Sequence, residues 1–315
     1  MQSEWEDAGI VWEIEEADEG IRIDKYLTEM LEGSVSRSLL QRWIKEGHAR
    51  IDGRMVKPNY KLAAGDVLEL VPPEEDSSEW LPEPIPLNIV YEDDDVIVVN
   101  KPRGMVVHPA PGHASGTLVN ALLHHSPEIA GLDKQLRAGL VHRIDKDTSG
   151  LLMAAKNERA HQYLSEQLKL YQVERKYFAL VHGEMQHNEG TVDAPIGRDP
   201  HDRKKFAVTD QNSKRSVTHF KVAERFKDFT LLELQLETGR THQIRVHMKF
   251  IGFPVVGDPL YGRASDRKLQ MKGQALHAAS LGFKHPTTQE YCVFQAPLPE
   301  DMEKLLEWVR QRSGT

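Results

Sequence analysis

The chain has 315 residues, of which 39% are hydrophobic and 28% charged, and its formal net charge is −8. This length fits one large domain plus a small one, with enough apolar residues for a sizeable core. No run of about 18 apolar residues occurs, which excludes a membrane-spanning helix. The single cysteine, Cys292, excludes an intramolecular disulfide and a cysteine-rich zinc cluster. The acidic N-terminus lacks the basic start of a signal peptide, so these features together predict a cytoplasmic protein.

The negative charge is unevenly distributed along the chain. Residues 34–61 contain seven basic residues and two acidic ones, whereas residues 72–84 contain five acids and no base. A basic patch therefore survives inside an acidic protein, and the net charge is only weak evidence against a nucleic-acid partner.

The first part of the chain predicts a flexible tail over residues 1–12 and a small α/β domain over residues 13–72. The domain opens with a helix whose apolar positions follow helical spacing, namely Ile23, Tyr26, Leu27, Met30 and Leu31. A second helix is expected to begin after Ser36 as N-cap and to end at Gly47. Asp52-Gly53 predicts a hairpin turn, and residues 66–71 predict a closing strand.

Basic side chains of this domain suggest a surface for RNA. Arg37 and Lys45 fall on the polar side of the second helix, and Lys57 follows the hairpin. A solvated helix face is the commoner interpretation of such residues. However, the stretches 22–27, 36–38, 44–47, 56–58 and 65–66 resemble an S4-type RNA-binding module. That resemblance implies that Arg37, Lys45 and Lys57 contact phosphates of folded RNA, which supplies affinity and placement rather than base readout.

Residues 73–86 predict a linker because they combine prolines with acidic residues. The remaining residues, 87–315, predict a large domain. Its expected helices cover residues 117–125, 158–170 and 300–312, and its expected strands include 89–100 around an acidic turn, 177–181, 216–222 and 229–236. Many strands with few helices between them indicate an α+β fold with a large, antiparallel-rich mixed sheet.

Residues 141–152 crowd cations, carboxylates and hydroxyls between apolar flanks, which indicates a site where the chain enters a sheet. A buried catalytic carboxylate needs a nearby cation to stay ionised. Asp145 has Arg143 two residues away. Spacing barely separates Asp145 from Asp147, and either carboxylate could instead be a surface partner of Arg143 or Lys146.

A second polar stretch covers residues 237–248. Gly239 permits a tight turn, Thr241 can cap a helix, and Arg245 is interpreted as the partner of a buried carboxylate, since guanidinium pairs bidentately. The two histidines of this stretch, His242 and His247, are five residues apart, which does not match the four-residue spacing of zinc-binding helices. No metal site is therefore expected.

Tyr177 begins a predicted strand. It is either a core aromatic residue or a ring that stacks on a nucleic-acid base.

Several motifs in register resemble the pseudouridine synthases of the RluA/RluD class, with the closest likeness to the RluD type. The motifs lie at residues 100–102, 142–152, 176–177, 239–247, 257–258 and 276–278, and the resemblance runs from about residue 87 to 297. It implies that Asp145, rather than Asp147, is the catalytic aspartate. It also implies that Tyr177 stacks on the target base and assists proton transfer, and that Arg245 pairs with Asp145.

Two further roles follow from the same resemblance. Ile244 is expected to pack on Tyr177, and Arg143 is expected to fill the gap that a flipped uridine leaves in the RNA.

The implied function is conversion of specific uridines to pseudouridine in structured RNA, foremost large-subunit (23S) ribosomal RNA or the pre-ribosomal large subunit. The resemblance predicts a monomer that needs no cofactor, no metal and no membrane, with further phosphate contacts from residues 203–205. One alternative is a catalytically inactive RNA-binding factor for ribosome assembly. Another is a metal-dependent RNA hydrolase.

Overall fold

The computed structural model describes residues 10–31, 35, 37–71, 80–109, 115–132, 138–202, 205–269 and 271–314. The chain divides into two compact units, residues 1–79 and residues 80–315. Each unit has its own hydrophobic core. None of the helices in the described ranges is long and apolar enough to cross a membrane.

The first unit pairs a four-stranded antiparallel sheet with two helices. Its strands are β1 Ile10–Glu13, β2 Ala49–Ile51, β3 Arg54–Met55 and β4 Val67–Leu70, in the order β1-β4-β2-β3. Its helices are α1 Ile23–Met30 and α2 Arg37–Glu46, and a 3₁₀ turn covers Glu16–Asp18.

Turn chemistry in this unit is as predicted, and four of the five apolar positions predicted for its first helix are buried, whereas Met30 is 44% exposed. Asp52 and Gly53 have φ angles of 48° and 72°, as a two-residue hairpin turn requires. Gly47 follows α2 with a φ of 86°, as a glycine that ends a helix does. The predicted cap Ser36 lies outside the described residues.

The tail predicted for residues 1–12 is wrong for residues 10–12. They form most of β1, which pairs with β4 from Ile10 opposite Leu70 to Glu13 opposite Val67. Ile10 and Trp12 turn to the same face and pack against the core of the first unit. Alternation over only three or four residues is a weak signal, which is why composition favoured a tail.

The second unit is built on one large mixed sheet. Its strands are β5 Ile89–Glu92, β6 Val96–Lys101, β7 Ser149–Ala155, β8 Glu174–His182, β9 Glu189–Asp193, β10 Ile196–Arg198, β11 Phe206–Val208, β12 Val217–Arg225, β13 Phe229–Leu236, β14 Leu276–Lys284 and β15 Tyr291–Gln295. Its helices are α3 Leu118–His125, α4 Pro127–Ala130, α5 Glu158–Lys169, α6 Gln243–Phe250 and α7 Glu300–Ser313, with a 3₁₀ helix at Ala264–Lys268.

Nine strands of the described residues form this sheet in the order β5-β6-β7-β14-β8-β13-β12-β9, with β15 on β14. Only β7 and β14 run parallel, and the other pairs are antiparallel. The predicted α+β class with an antiparallel-rich mixed sheet is therefore confirmed. At the parallel pair a Cβ on Gly150 would lie 2.2 Å from the Ala278 oxygen, so only glycine permits this close approach.

The linker prediction of 73–86 extends too far. Residues 72–79 lie outside the described residues, but Trp80 and the segment after it belong to the second unit and contact other parts of it. The Trp80 and His108 rings are 4.6 Å apart, and the Asn120 side chain donates to the Leu81 carbonyl over 2.8 Å. The Glu83 carboxylate accepts from a backbone N–H of the second unit at 3.0 Å. These contacts depend on tertiary packing, so the proline and acid content of the segment could not predict them.

Candidate active site

Asp145 lies in a turn that leads into the buried strand β7. The Thr148 N–H donates to the Asp145 carbonyl over 3.1 Å and closes the turn. Lys101, only 1% exposed, braces it, because its Nζ donates over 2.9 Å each to the carbonyls of Lys146, Pro102 and Met105. The backbone that carries Asp145 is therefore fixed from two sides.

A buried arginine connects Asp145 to a second carboxylate. Arg245 Nη1 donates to Asp145 Oδ2 over 2.8 Å. Its Nε and Nη2 donate bidentately to Asp258 over 2.7 and 2.9 Å. The side chains of Arg245 and Asp258 are 4% and 0% exposed, whereas that of Asp145 is 25% exposed. Burial lowers the pKa of Arg245, but the two carboxylates outweigh burial and raise its pKa above the ordinary value.

Asp258 fixes the direction of this arginine. Besides the guanidinium, its Oδ1 accepts the backbone N–H groups of Leu260 and Tyr261 at 2.9 and 3.0 Å. The Arg245 guanidinium lies 5.2 Å from the Tyr261 ring, which covers one of its faces. These contacts orient Arg245 so that its Nη1 reaches Asp145 Oδ2. Asp145 also lines the cavity.

The helix that carries Arg245 begins differently from the prediction. His242, with a φ of 57°, precedes α6 and has no side-chain cap, so the expectation that Thr241 caps the helix is wrong. The left-handed residue turns the chain immediately before the helix, which places Thr241 one position too early. Thr241 Oγ1 instead accepts from Arg143 Nη2 at 3.1 Å.

Gly239 lies close to the end of the buried Arg175 side chain. Its φ lies outside the left-handed region, but a Cβ there would lie 2.5 Å from Nη1 of Arg175. The prediction of a tight turn at Gly239 is therefore wrong, and the glycine lets the loop pass against a buried guanidinium.

Tyr177 and Ile244 form part of the hydrophobic core beneath the site, where they are 6% and 4% exposed. Tyr177 is the fourth residue of β8 rather than its start. Burial raises the pKa of its phenol, Arg175 lowers it and Asp145 raises it, with a net raised pKa. The phenol therefore keeps its proton at neutral pH.

These groups line one cavity of about 850 Å³. Arg143, Asp145, Tyr177, Ile244 and Arg245 all contribute to its wall. The volume lies within the range of ligand pockets, about 300–1,000 Å³. Side chains separated by more than a hundred residues along the chain thus converge on one space.

The histidine-rich stretches do not assemble a metal site in the described part of the chain, where no group of three His, Cys, Asp or Glu residues is placed to hold an ion. His247 is fully buried, with Nδ1 2.9 Å from Thr218 Oγ1 and Nε2 2.9 Å from the Ala194 carbonyl. Its ring packs and bonds within the fold.

The three basic residues predicted for the first unit are all exposed, but they differ in support. Arg37 donates through Nε and Nη2 to Asp24 Oδ2, over 3.2 and 3.1 Å. Lys45 and Lys57 project from α2 and from the chain after β3. The sequence analysis gave no role to Asp24 and Asp258, although both lie inside the motifs at residues 22–27 and 257–258.

Both units of the chain are similar to known proteins. Residues 95–250 match the family model described as RNA pseudouridylate synthase, and residues 21–68 match the S4 domain. The chain is 57% identical to an uncharacterized RNA pseudouridine synthase, YlyB, of Bacillus subtilis, over 92% of this chain and 94% of the relative. It is 45% identical to the ribosomal large subunit pseudouridine synthase D of Xanthomonas campestris, over 94% of this chain and 91% of the relative. Among solved structures, human RNA pseudouridylate synthase domain containing 1 aligns with a TM-score of 0.56 and 28% identity, covering 75% of this chain and 97% of that one.

Proposed function

The chain belongs to the RNA pseudouridylate synthase family, and from that premise we propose that it converts specific uridines of large-subunit ribosomal RNA to pseudouridine with Asp145 as the catalytic carboxylate. It is an RNA pseudouridine synthase, an isomerase, that carries an S4 RNA-binding domain. The proposal concerns the catalytic residue and the RNA on which it acts.

The observation that carries the proposal is the Asp145–Arg245 pair at the cavity wall. One carboxylate oxygen accepts from a buried guanidinium at 2.8 Å, while the side chain keeps a quarter of its surface exposed to the cavity. The guanidinium supplies a permanent positive charge beside the carboxylate. The open side leaves an oxygen to act on a bound nucleoside.

The reaction detaches uracil from C1′, rotates it and rejoins it through C5, and the C5 proton is lost as the N1 position becomes protonated. Three routes begin it: attack on C1′, attack on C6, and removal of a sugar proton. Each of them needs an ionised carboxylate oxygen beside the nucleoside, and Asp145 supplies it. No step changes the oxidation state of the nucleoside.

The neighbouring residues hold the base and complete the proton transfers. Tyr177 offers a buried ring for stacking and a protonated phenol within the same cavity. Ile244 supplies an apolar surface in the same cavity wall. Arg143 is exposed and also lines the cavity, and its proposed role is to occupy the gap left by the flipped uridine. Extrusion of the uridine costs a few kcal/mol, which phosphate contacts of the S4 unit offset. Every group given a role lies on one chain, so the proposal needs neither a second copy nor a cofactor.

Large-subunit ribosomal RNA is proposed as substrate because of the relatives. Ribosomal large subunit pseudouridine synthases D of Xanthomonas campestris and Pseudomonas aeruginosa are 45% and 46% identical to this chain over more than nine-tenths of its length. Both units take part in that similarity, so the combination of RNA-binding unit and cavity is shared.

The test compares Asp145→Asn with Asp147→Asn, which removes the same charge two residues away. Ribosomal RNA from a deletion strain carrying each variant is mapped by carbodiimide adducts, which mark pseudouridine. We expect Asp145→Asn to abolish the modification and Asp147→Asn to retain it. Wild-type modification by Asp145→Asn would overturn the assignment.

The same strains separate the alternatives. An inactive assembly factor predicts that Asp145→Asn fully restores growth and ribosome assembly to the deletion strain, with no modification in the wild type. A metal-dependent RNA hydrolase predicts that excess chelator stops the reaction of the purified wild-type protein.

A further inference from the structure

Arg175 is a buried cation in the wall of the cavity. It is the second residue of β8 and 8% exposed. Because side chains alternate along a strand, Arg175 and Tyr177 share one face, and both line the cavity. Lys176, between them, points to the opposite face.

The guanidinium is poorly satisfied by the protein. Its Nη2 donates to the Glu237 carbonyl at a long 3.4 Å, and its Nε is buried without a partner. No carboxylate of the described residues forms an ion pair with it. By contrast, Arg103 and Arg245, whose side chains are also less than a tenth exposed, pair with Asp301 at 2.6 Å and with Asp258 at 2.7 Å.

An unpaired buried guanidinium is costly to the folded protein, because it has lost water without gaining a counter-ion. Burial accordingly lowers the pKa of Arg175, although an arginine stays charged in a protein. The fold nevertheless accommodates it, since Gly239 leaves out the Cβ that would lie 2.5 Å from its Nη1. The loop backbone therefore passes close to the end of this side chain.

The cavity around Arg175 is strongly cationic. The basic residues that line it are Arg143, Lys169, Arg175, Arg240 and Arg245. Among the described lining residues, Asp145 is the only acid, and its nearest cation is Arg245. Arg175 therefore lines a space whose one carboxylate among the described residues, Asp145, is paired with a different arginine.

We propose that Arg175 binds a phosphate group of the RNA backbone beside the target uridine. This inference rests on the function proposed above, since it takes RNA as the substrate. A phosphate matches the missing partner in two respects. It supplies the counter-ion that the fold omits, and its oxygens fit the donors of a guanidinium bidentately. A carbonyl of the base would accept a hydrogen bond but would leave the buried charge uncompensated.

The experiment measures binding of transcribed large-subunit ribosomal RNA to the full chain by filter retention at a series of salt concentrations. Each phosphate contact contributes a slope of about 0.7–0.9 to the fall of log affinity with log salt. We expect Arg175→Gln to bind about 10–100-fold more weakly at low salt. Its slope should be shallower by about one such contact, and Arg175→Lys should keep the slope.

The matched control is Lys176→Gln, which removes the same charge from the opposite face of the strand. Lys176 lies outside the cavity wall and pairs with Glu174 at 3.4 Å. We expect its salt slope to equal that of the wild type. The melting temperature distinguishes phosphate binding from a structural role, because a structural role predicts that Arg175→Gln melts at a lower temperature than the wild type. Arg175→Gln should melt at or above the wild-type temperature, because an uncompensated buried charge is removed.

Four results would overturn the inference: an unchanged slope and affinity in Arg175→Gln, weaker binding with an unchanged slope, a lowered melting temperature that accounts for the loss, or an equal change in Lys176→Gln. Weaker binding at constant slope would identify a base contact. If the wild-type protein forms no pseudouridine in the transcript, the proposed function fails, while the salt slope still decides the role of Arg175.

Discussion

Each unit contains a fully buried carboxylate that pairs with arginine, and the two clusters differ in their balance of charge. Asp24 in the first unit and Asp258 in the second both have fully buried side chains held by guanidinium groups. Asp24 accepts from Arg22 at 2.9 Å and Arg37 at 3.1 Å, with side chains 44% and 51% exposed. Asp258 accepts from Arg245, which is 4% exposed.

The ratio of charges differs between the two clusters and explains their tasks. In the first unit one carboxylate serves two arginines, so the cluster keeps a positive excess that faces water and is held in a fixed direction. In the second unit two carboxylates share one arginine, so the cluster keeps a negative excess, which resides on Asp145 at the cavity. One arrangement suits the capture of a polyanion, and the other suits a reaction that needs an ionised carboxylate.

The largest effect is expected from Asp258→Ala, which breaks the second cluster. The change leaves Arg245 with one partly exposed partner and orphans two backbone N–H groups, so the free energy of unfolding should fall by about 3–5 kcal/mol. Calorimetry of the full chain should show the loss in the transition of the second unit, and pseudouridine formation should fall with it. An unshifted transition would show that Arg245 does not depend on Asp258.

A smaller effect is expected from Asp24→Ala. Arg22 and Arg37 can return to water, so the loss is confined to hydrogen bonds to a charged group, about 1.5–3 kcal/mol. The transition of the first unit should shift while that of the second stays in place. If the free energy of unfolding fell equally in Asp24→Ala and Asp258→Ala, the exposure of the paired arginines would not determine the size of the effect.

The smallest effect concerns acid. Burial raises the pKa of Asp24, but hydrogen bonds from Arg22, Gln41 and Arg37 outweigh it and hold the pKa below the ordinary value of 3.8. Between the folded and the unfolded pKa of Asp24, the unfolded chain binds more protons than the folded one. The contribution of Asp24 to stability is therefore present above pH 3.8, and it is lost as the pH falls through the lower pKa of the folded state. The difference in unfolding free energy between the wild type and Asp24→Asn should therefore shrink below pH 3.8. A difference that stays constant with pH would show that folding does not shift the pKa of Asp24.

Local features of the fold could be read from the sequence, and contacts across the chain could not. The Asp52-Gly53 turn and the amphipathic helices depend on neighbours within a few residues. Spacing alone left Asp145 and Asp147 undecided, because the partner of Asp145 is Arg245, one hundred residues away.

The burial of Arg175 could not be predicted from the sequence, for a related reason. An arginine at the start of a strand is normally exposed, and its burial depends on the loop at Gly239, which is more than sixty positions later in the chain. The one available signal was its spacing of two residues from Tyr177, which predicts a shared face of the strand.

The position of β14 in the sheet has a consequence for the order in which the enzyme is made. Asp145 precedes β7 and Tyr177 lies on β8, but β14, which joins these two strands, begins only at Leu276. Contacts between such distant segments form slowly, and domains fold in turn as the chain leaves the ribosome. The RNA-binding unit is therefore synthesised long before the strand that brings the two halves of the cavity together. A nascent chain acquires its means of holding RNA first and its chemistry last.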